Sequence, residues 1–465
     1  MASKDRFGCC NLPHLNNPLW SAPNFSRRQF FQLAGPAVVG YYFSKVAHPL
    51  EVMAAAKVET QNTARSCIFI LLAGAPSHVD TFDLKEGPWV PSDFAPTSYG
   101  EIRFPQGLMP NLAEELGKLA IVRSVKAWGL VHRLLRVWTQ IARNPTAALG
   151  SIAPHVGAVV ALEKEQPGVK LPGFIALNAG NVVGPGYFAS QYAPFKLRPN
   201  RAGLPGSTHP DGQARFESRL QLLDVMDSRL RVNSPLGREA ENMGVFYQQA
   251  RQLMYDPEVD AVFKFTAEER TRYGKNRFGD ACIVARNIVK ANLGTRFVQI
   301  QHGGWDNHAN IYNPNGGIYI RTRALDVGLA TLLQDLVAAP GLAPGKSLLD
   351  ETLIVIMGEF GRTVQSLNVR QGRDHHLQQF ALFAGGGVQG GRVIGATDRT
   401  GAYTEEPGWE RNRSVRIEDI AATIYSALGI DWTTIRYDDP FKRGFEYVPF
   451  AASHDAYGPV DILFG

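Results

Sequence analysis

Cysteine is scarce in this chain, with four among 465 residues. Cys9 and Cys10 fall near the start, and Cys67 and Cys282 stand in neither a C-x-x-C nor a zinc-ribbon spacing. A disulfide framework is therefore excluded, and a chain of this length buries enough surface to need no such staples. Cys67 opens an apolar run and Cys282 lies in a helical pattern, so both read as small buried hydrophobes. Also missing is an apolar stretch of the roughly 20 residues that a membrane-spanning helix requires. Nor does one sign of charge dominate: 48 Lys and Arg face 43 Asp and Glu. Most of that small surplus comes from Lys4, Arg6, Arg27, Arg28 and Lys45 against Asp5. The remainder is close to neutral and carries no basic footprint for nucleic acid. A hydrophobic fraction of 45% excludes a disordered chain.

What is present begins with a leader. Ser26-Arg27-Arg28-Gln29-Phe30-Phe31 is similar to a twin-arginine export signal, and the moderately apolar stretch to Phe43 is too short to span a bilayer. Met53-Ala54-Ala55-Ala56 offers a small-residue cleavage site. Residues 1–56 are thus expected to be an export leader, sending the protein to the periplasm or cell surface without a transmembrane anchor.

Beyond it, short apolar runs alternate with helical patterns. Ser66–Ala73, Leu119–Arg123, Gly173–Leu177, Phe297–Gln301, Thr352–Met357 and Phe380–Ala384 read as buried strands of parallel type. Helical periodicity marks Asn111–Leu119, Ile152–Glu165, Ser218–Arg231, Gly237–Tyr255, Arg277–Leu293, Arg321–Val337 and Ile417–Leu428. The expected fold is a three-layer α/β domain over 57–465, with a mostly parallel central sheet and helices on both faces. Residues 178–275 lack an obvious strand and read as a helical insertion or cap.

Ligands of such sheets bind beyond the carboxyl ends of the strands, and polar residues collect there. Ser77, His78, Asp80, Thr81 and Asp83 follow the first strand; His302, Asp306 and His308 follow the fourth; Glu359 and Arg362, then Asp374 and His375, follow the fifth. Histidine nitrogen with carboxylate oxygen suits Zn²⁺, Mn²⁺ or Fe, whereas all-oxygen sets suit Ca²⁺ or Mg²⁺. Asp306 and His308, two residues apart in extended chain, point to one side and can share an ion. Asp374 and His375 in a loop can serve two ions a few ångströms apart, the spacing that clamps a phosphoryl-type displacement. His132 and His155 lie in helical patterns, where a lone histidine is more often packed or at the surface than a ligand. Gly385–Gly390 matches a dinucleotide fingerprint but leads into extended chain, and Pro340–Ser347 ends like a P-loop but precedes a strand; neither is a nucleotide site.

The motifs Gly74–Asp83, Gly303–His308, Gly358–Thr363, Gly372–His375 and Gly395–Asp398, after an Arg-Arg leader, resemble in order the exported domain-of-unknown-function family 1501. That family looks related to the alkaline phosphatase and sulfatase superfamily. The resemblance implies a pair of divalent metal ions (Zn, Mn, Ca or Mg) at the strand ends, with Asp306, His308 and His375 around one. Glu359 takes the place of a strand-end acid, and Asp374 with Asp80 or Asp83 would complete the second set. Arg362 would steady a substrate oxyanion or tie down its loop. The superfamily's nucleophile would fall to Thr81, Ser77 or Ser124. Its acidic ligand at the first strand's end is replaced here by Ala73-Gly74-Ala75. The implied activity is metal-dependent hydrolysis of phosphate or sulfate esters, on a small-molecule or glycan substrate. The alternative is a metal- or glycan-binding envelope module, and a weaker one is a partner component acting through 178–275.

Overall fold

The computed structural model describes residues 58–231 and 237–465, so the leader read at 1–56 lies outside the described residues. Its frame is an eight-stranded sheet. In chain order the strands are β1 (Ser66–Leu71), β2 (Leu119–Lys126), β3 (Phe174–Leu177), β4 (Phe195–Leu197), β5 (Phe297–Gln301), β6 (Thr352–Met357), β7 (Gln378–Ala384) and β8 (Arg392–Ile394). Across the sheet they lie β8-β2-β7-β6-β1-β5-β3-β4. Every pairing is parallel except those of β7, which runs antiparallel to both β2 and β6. The run at Phe380–Ala384, expected to be of parallel type, is thus reversed. Burial on both faces produces the same unbroken apolar run in either direction, so hydropathy carries no sign of it.

Alternation along β1 separates two cores. Ile68, Ile70 and Leu72 face one, and Cys67, Phe69, Leu71 and Ala73 face the other. The first is closed by α5 (Arg277–Ala291) and α6 (Gly317–Ala338), the second by α2 (Val156–Glu163) and α7 (Ile417–Ala427). In α6, Leu325, Leu329, Leu332 and Leu336 recur at helical spacing and are fully buried. Helix α5 starts where the Asn276 side chain accepts the Gly279 amide and stops at Asn292, whose φ of 52° is left-handed. Cys67 and Cys282 are free and buried in these cores.

The stretch 178–275 contributes one strand after all, since β4 extends the sheet from β3. The rest is mostly helical, including α3 (Gln213–Arg231) and α4 (Arg238–Leu253). The glycine run after β7 joins it to β8 and Pro340–Ser347 leads toward β6, so neither decoy opens a helix. Helix α1 (His132–Ile141) follows β2. Among the described residues no helix is long and apolar enough to cross a membrane.

Candidate metal centre

The register places several chain segments at one sheet edge. Leu71 is level with Gln301 on β5 and with Met357 on β6, so the loops after β1, β5 and β6 leave together. Lys126 at the end of β2 is level with Gln378 at the start of β7. A reversed strand enters where its neighbours exit. His375 therefore reaches the carboxyl edge from in front of a strand, and His132 reaches it from the turn after β2.

These segments are held close by small residues. Gly74 has φ +112°, and a Cβ there would stand 2.7 Å from the Asp306 amide nitrogen. A side chain at Gly372 would meet the His308 carbonyl carbon at 2.1 Å. Arg362 laces the loops: its Nε donates to the Ala75 carbonyl at 2.8 Å and Nη1 to the Arg373 carbonyl at 3.1 Å. Nη2 donates to the Gly74 carbonyl at 2.5 Å and to Asp306 Oδ1 at 2.6 Å. The side chain is completely buried. With its donors committed to the protein, Arg362 has the loop-tying geometry and not that of a free oxyanion clamp.

His132, Asp306, His308 and His375 each offer one atom to a group in which all lie within 4.8 Å of one another. Asp306 Oδ1 is 3.2 Å from His132 Nε2, 3.1 Å from His308 Nε2 and 4.0 Å from His375 Nε2. His308 and His375 bring their Nε2 atoms to 2.9 Å. The outer nitrogen of each ring is fixed. His132 Nδ1 donates to Glu359 Oε1 at 2.7 Å, His308 Nδ1 to Asp374 Oδ1 at 2.6 Å and His375 Nδ1 to the Leu130 carbonyl at 2.7 Å. A proton on each Nδ1 leaves a lone pair on each Nε2, all aimed at Asp306. His132 Nε2 is buried with no hydrogen-bonding partner. Arg362 supplies the N–H groups that reach the cluster, to Asp306 Oδ1 at 2.6 Å and near His308 Nε2 at 3.4 Å, and three imidazole lone pairs beside a carboxylate still suit a cation. Metal–nitrogen bonds near 2.0–2.1 Å put tetrahedral donors about 3.3 Å apart, close to most of these separations.

The electrostatics agree. Burial pushes the Asp306 carboxyl up, but the hydrogen bond and charge of Arg362, with His132 and His308, hold it below the usual range. Asp374 is held low by its hydrogen bond to His308. Burial, against the Leu130 hydrogen bond, lowers His375. Glu359 is buried under the cluster, accepting the Gly74 amide at 3.0 Å and the Ala75 amide at 3.3 Å.

The sequence candidates therefore separate. Asp306, His308 and His375 converge, while Glu359 and Asp374 stand behind histidines. His132, set aside in the sequence because a lone histidine on a helix carries no spacing signal, is a full member. Its place shortly beyond the apolar run Leu119–Arg123, at another strand end, is the signal that could have found it. Asp80 and Asp83 lie apart from the cluster. Asp80 is completely buried against Arg373 at 2.7 Å and accepts the Tyr312 hydroxyl, and Asp83 faces Lys85 at 3.2 Å, Arg123 at 3.4 Å and the Thr397 hydroxyl. An ion competing for either would have to displace cations already in place. Thr81 Oγ1 donates to the Ser77 carbonyl and Ser124 Oγ to the Pro407 carbonyl, both at 2.7 Å. Ser77 Oγ is buried without a partner.

Residues 64–443 match the family described as Protein of unknown function (DUF1501). No curated protein matches the chain in sequence. Among solved structures it is similar to a protein in the alkaline phosphatase superfamily from Vibrio parahaemolyticus, at 12% identity and a TM-score of 0.36, over 80% of this chain and 68% of that one. It is similar to the PsFucS1 sulfatase from Pseudoalteromonas sp. at 14% identity and a TM-score of 0.36, over 80% and 68%. A third is the lipoteichoic acid synthase LtaP from Listeria monocytogenes, at 9% identity and a TM-score of 0.35, over 84% and 77%. These are likenesses of fold.

Proposed function

The chain belongs to the DUF1501 family, and from its donor cluster we propose that it is a metal-dependent hydrolase of phosphate or sulfate esters that acts after export. The observation that carries this reading is the meeting of three imidazole lone pairs and a carboxylate oxygen, with one of those nitrogens buried and unpartnered. Nitrogen-rich donors favour Zn²⁺ or a similar transition ion over Ca²⁺ or Mg²⁺, and one cluster among the described residues favours a single ion. Such an ion supplies Lewis acidity toward an ester oxygen and acidifies water.

The chain's own residues do the rest. His132, His308, His375 and Asp306 hold the ion, while Glu359, Asp374 and the Leu130 carbonyl fix the tautomer and tilt of the rings. Arg362 is a positioning residue that steadies Asp306. Asp306 keeps 47% of its side chain exposed, which leaves the cluster an opening to an incoming ester. The twin-arginine-like leader supports export of a protein already folded around such an ion.

A second reading is favoured by the hydroxyls. With Thr81 and Ser124 bonded to carbonyls, the superfamily's nucleophile has no clear counterpart, and the cluster could serve a binding module. Metal analysis of the purified full chain separates the readings. The hydrolase predicts about one transition ion per chain, lost in His308→Ala, and metal-dependent hydrolysis of nitrophenyl phosphate or sulfate. Bound metal without hydrolysis selects the binding module. A folded protein that takes up no metal overturns both.

A further inference from the structure

A cavity of about 480 Å³ opens beside helix α1, the helix that begins with His132. Two indoles line it. Trp128 and Trp138 lie nearly parallel, 19° apart with centroids at 5.9 Å, and each directs Nε1 to the buried Glu418 carboxylate at 2.9 Å. This shared acceptor locks both rings in place, so their apolar surface costs little ordering when a ligand arrives. Trp128 and Phe450 are exposed at 41% and 55%. Both line the cavity, and the Arg416 guanidinium lies over the Trp128 ring at 4.1 Å.

The cavity also holds a cation with no ionic partner. Arg143 is 5% exposed, and its Nη2 donates to the Glu446 and Tyr447 carbonyls while Nε is buried without a partner. Its guanidinium lies over the Phe445 ring at 3.9 Å. No carboxylate among the described residues pairs with it. Glu418, which shares the cavity, is committed to the two indoles, and Glu446 accepts the Phe450 amide at 2.5 Å. Arg443, exposed at the same wall, likewise has no ion pair among the described residues. Burial pushes the Arg143 guanidinium down to about 10. An anion entering the cavity would relieve that cost.

Rigid flat apolar surface, planar polar groups and an uncompensated buried cation together describe one chemistry. A pyranose lays its C–H face on an indole, its hydroxyls meet amide and guanidinium groups, and an acidic substituent meets an arginine. We propose that the Trp128–Trp138 cavity is a binding subsite for an anionic sugar, one bearing a sulfate, phosphate or carboxylate. Trp138 stands six residues after His132 on α1, about 9 Å along the helix axis, with Leu135 and Phe360 packed between. The subsite thus stands on the same helix that supplies one donor of the cluster, as a place for a neighbouring unit of a longer substrate. Only this link to catalysis rests on the hydrolase reading; the binding itself does not.

Indole fluorescence and calorimetry on the full chain test it, with and without a chelator. The probes are a sulfated galactose disaccharide, the same disaccharide without sulfate, a galacturonate disaccharide and inorganic sulfate. The proposal expects both charged sugars to bind at least tenfold tighter than the neutral one, with fluorescence change, and to do so in the chelated protein too. Sulfate alone should not compete at matching concentration. Arg143→Met should erase the tenfold preference, and the exposed Arg443→Ala, which has no fold to lose, should weaken it. No binding by any sugar, equal binding of charged and neutral sugars, or inorganic sulfate binding as tightly as the sulfated sugar overturns the subsite. Because binding is read without metal, a failed metal analysis and a failed titration remain separate results.

Discussion

At the scale of single residues, the difference between holding an ion and orienting its holder is measurable. Asp374 was expected as a direct ligand, yet its Oδ1 meets His308 Nδ1 at 2.6 Å and Oδ2 meets the Asn368 amide at 3.2 Å. If it acts through His308, Asp374→Ala weakens metal affinity by about 10–100-fold and leaves the fold intact, since the side chain is 49% exposed. Competition with a chromophoric chelator reads that loss; complete failure to bind metal would restore Asp374 to the inner set. Asp80 is a different case. Its pairing with Arg373 is completely buried, with Tyr312 as a further partner. Asp80→Ala strands a buried guanidinium and should cost about 3–5 kcal/mol in urea unfolding. Metal content per folded chain should not change, because Asp80 touches none of the four donors.

At the scale of elements, most strands and helices were legible because their patterns are local. Phe297–Gln301 and Thr352–Met357 coincide with β5 and β6, and Ile417–Leu428 differs from α7 by one residue. Direction and partnership are not local. The apolar run of β7 gave no hint that it is antiparallel, and that reversal is what brings His375 to the edge where Asp306 and His308 emerge. His132 escaped notice for a related reason, since its partners lie far along the chain and its own surroundings are a helix start. Asp80 and Asp83 show in a sequence as carboxylates, without the Arg373 and Arg123 that reach them from elsewhere in the chain. Motif order, by contrast, carried the Asp306–His308 pair and the family together.

At the scale of the molecule, pH acts through histidines outside the cluster. Burial lowers His155 to about 3 and His78 and His302 to about 4, partly offset by hydrogen bonds to Gln299, the Gly401 carbonyl and the Arg321 carbonyl. In the unfolded chain each titrates near 6.5. Above that value both states are neutral and stability is full. Between about 6.5 and 4 the unfolded chain gains protons that the folded one refuses, so stability falls as pH falls. Urea midpoints of the chelated protein should be level above pH 7 and decline steadily from 6.5 toward 4; a flat profile across that window would show that these rings are not held neutral. The sheet order has a consequence in time. Strand β7 is the joint between β2 and β6, so until it is inserted His132 has no fixed distance from Asp306. A nascent chain still lacking β7 cannot hold an ion at this edge. The choice of metal therefore belongs to the compartment in which that last joint closes, and export of an already folded protein makes that the compartment of synthesis.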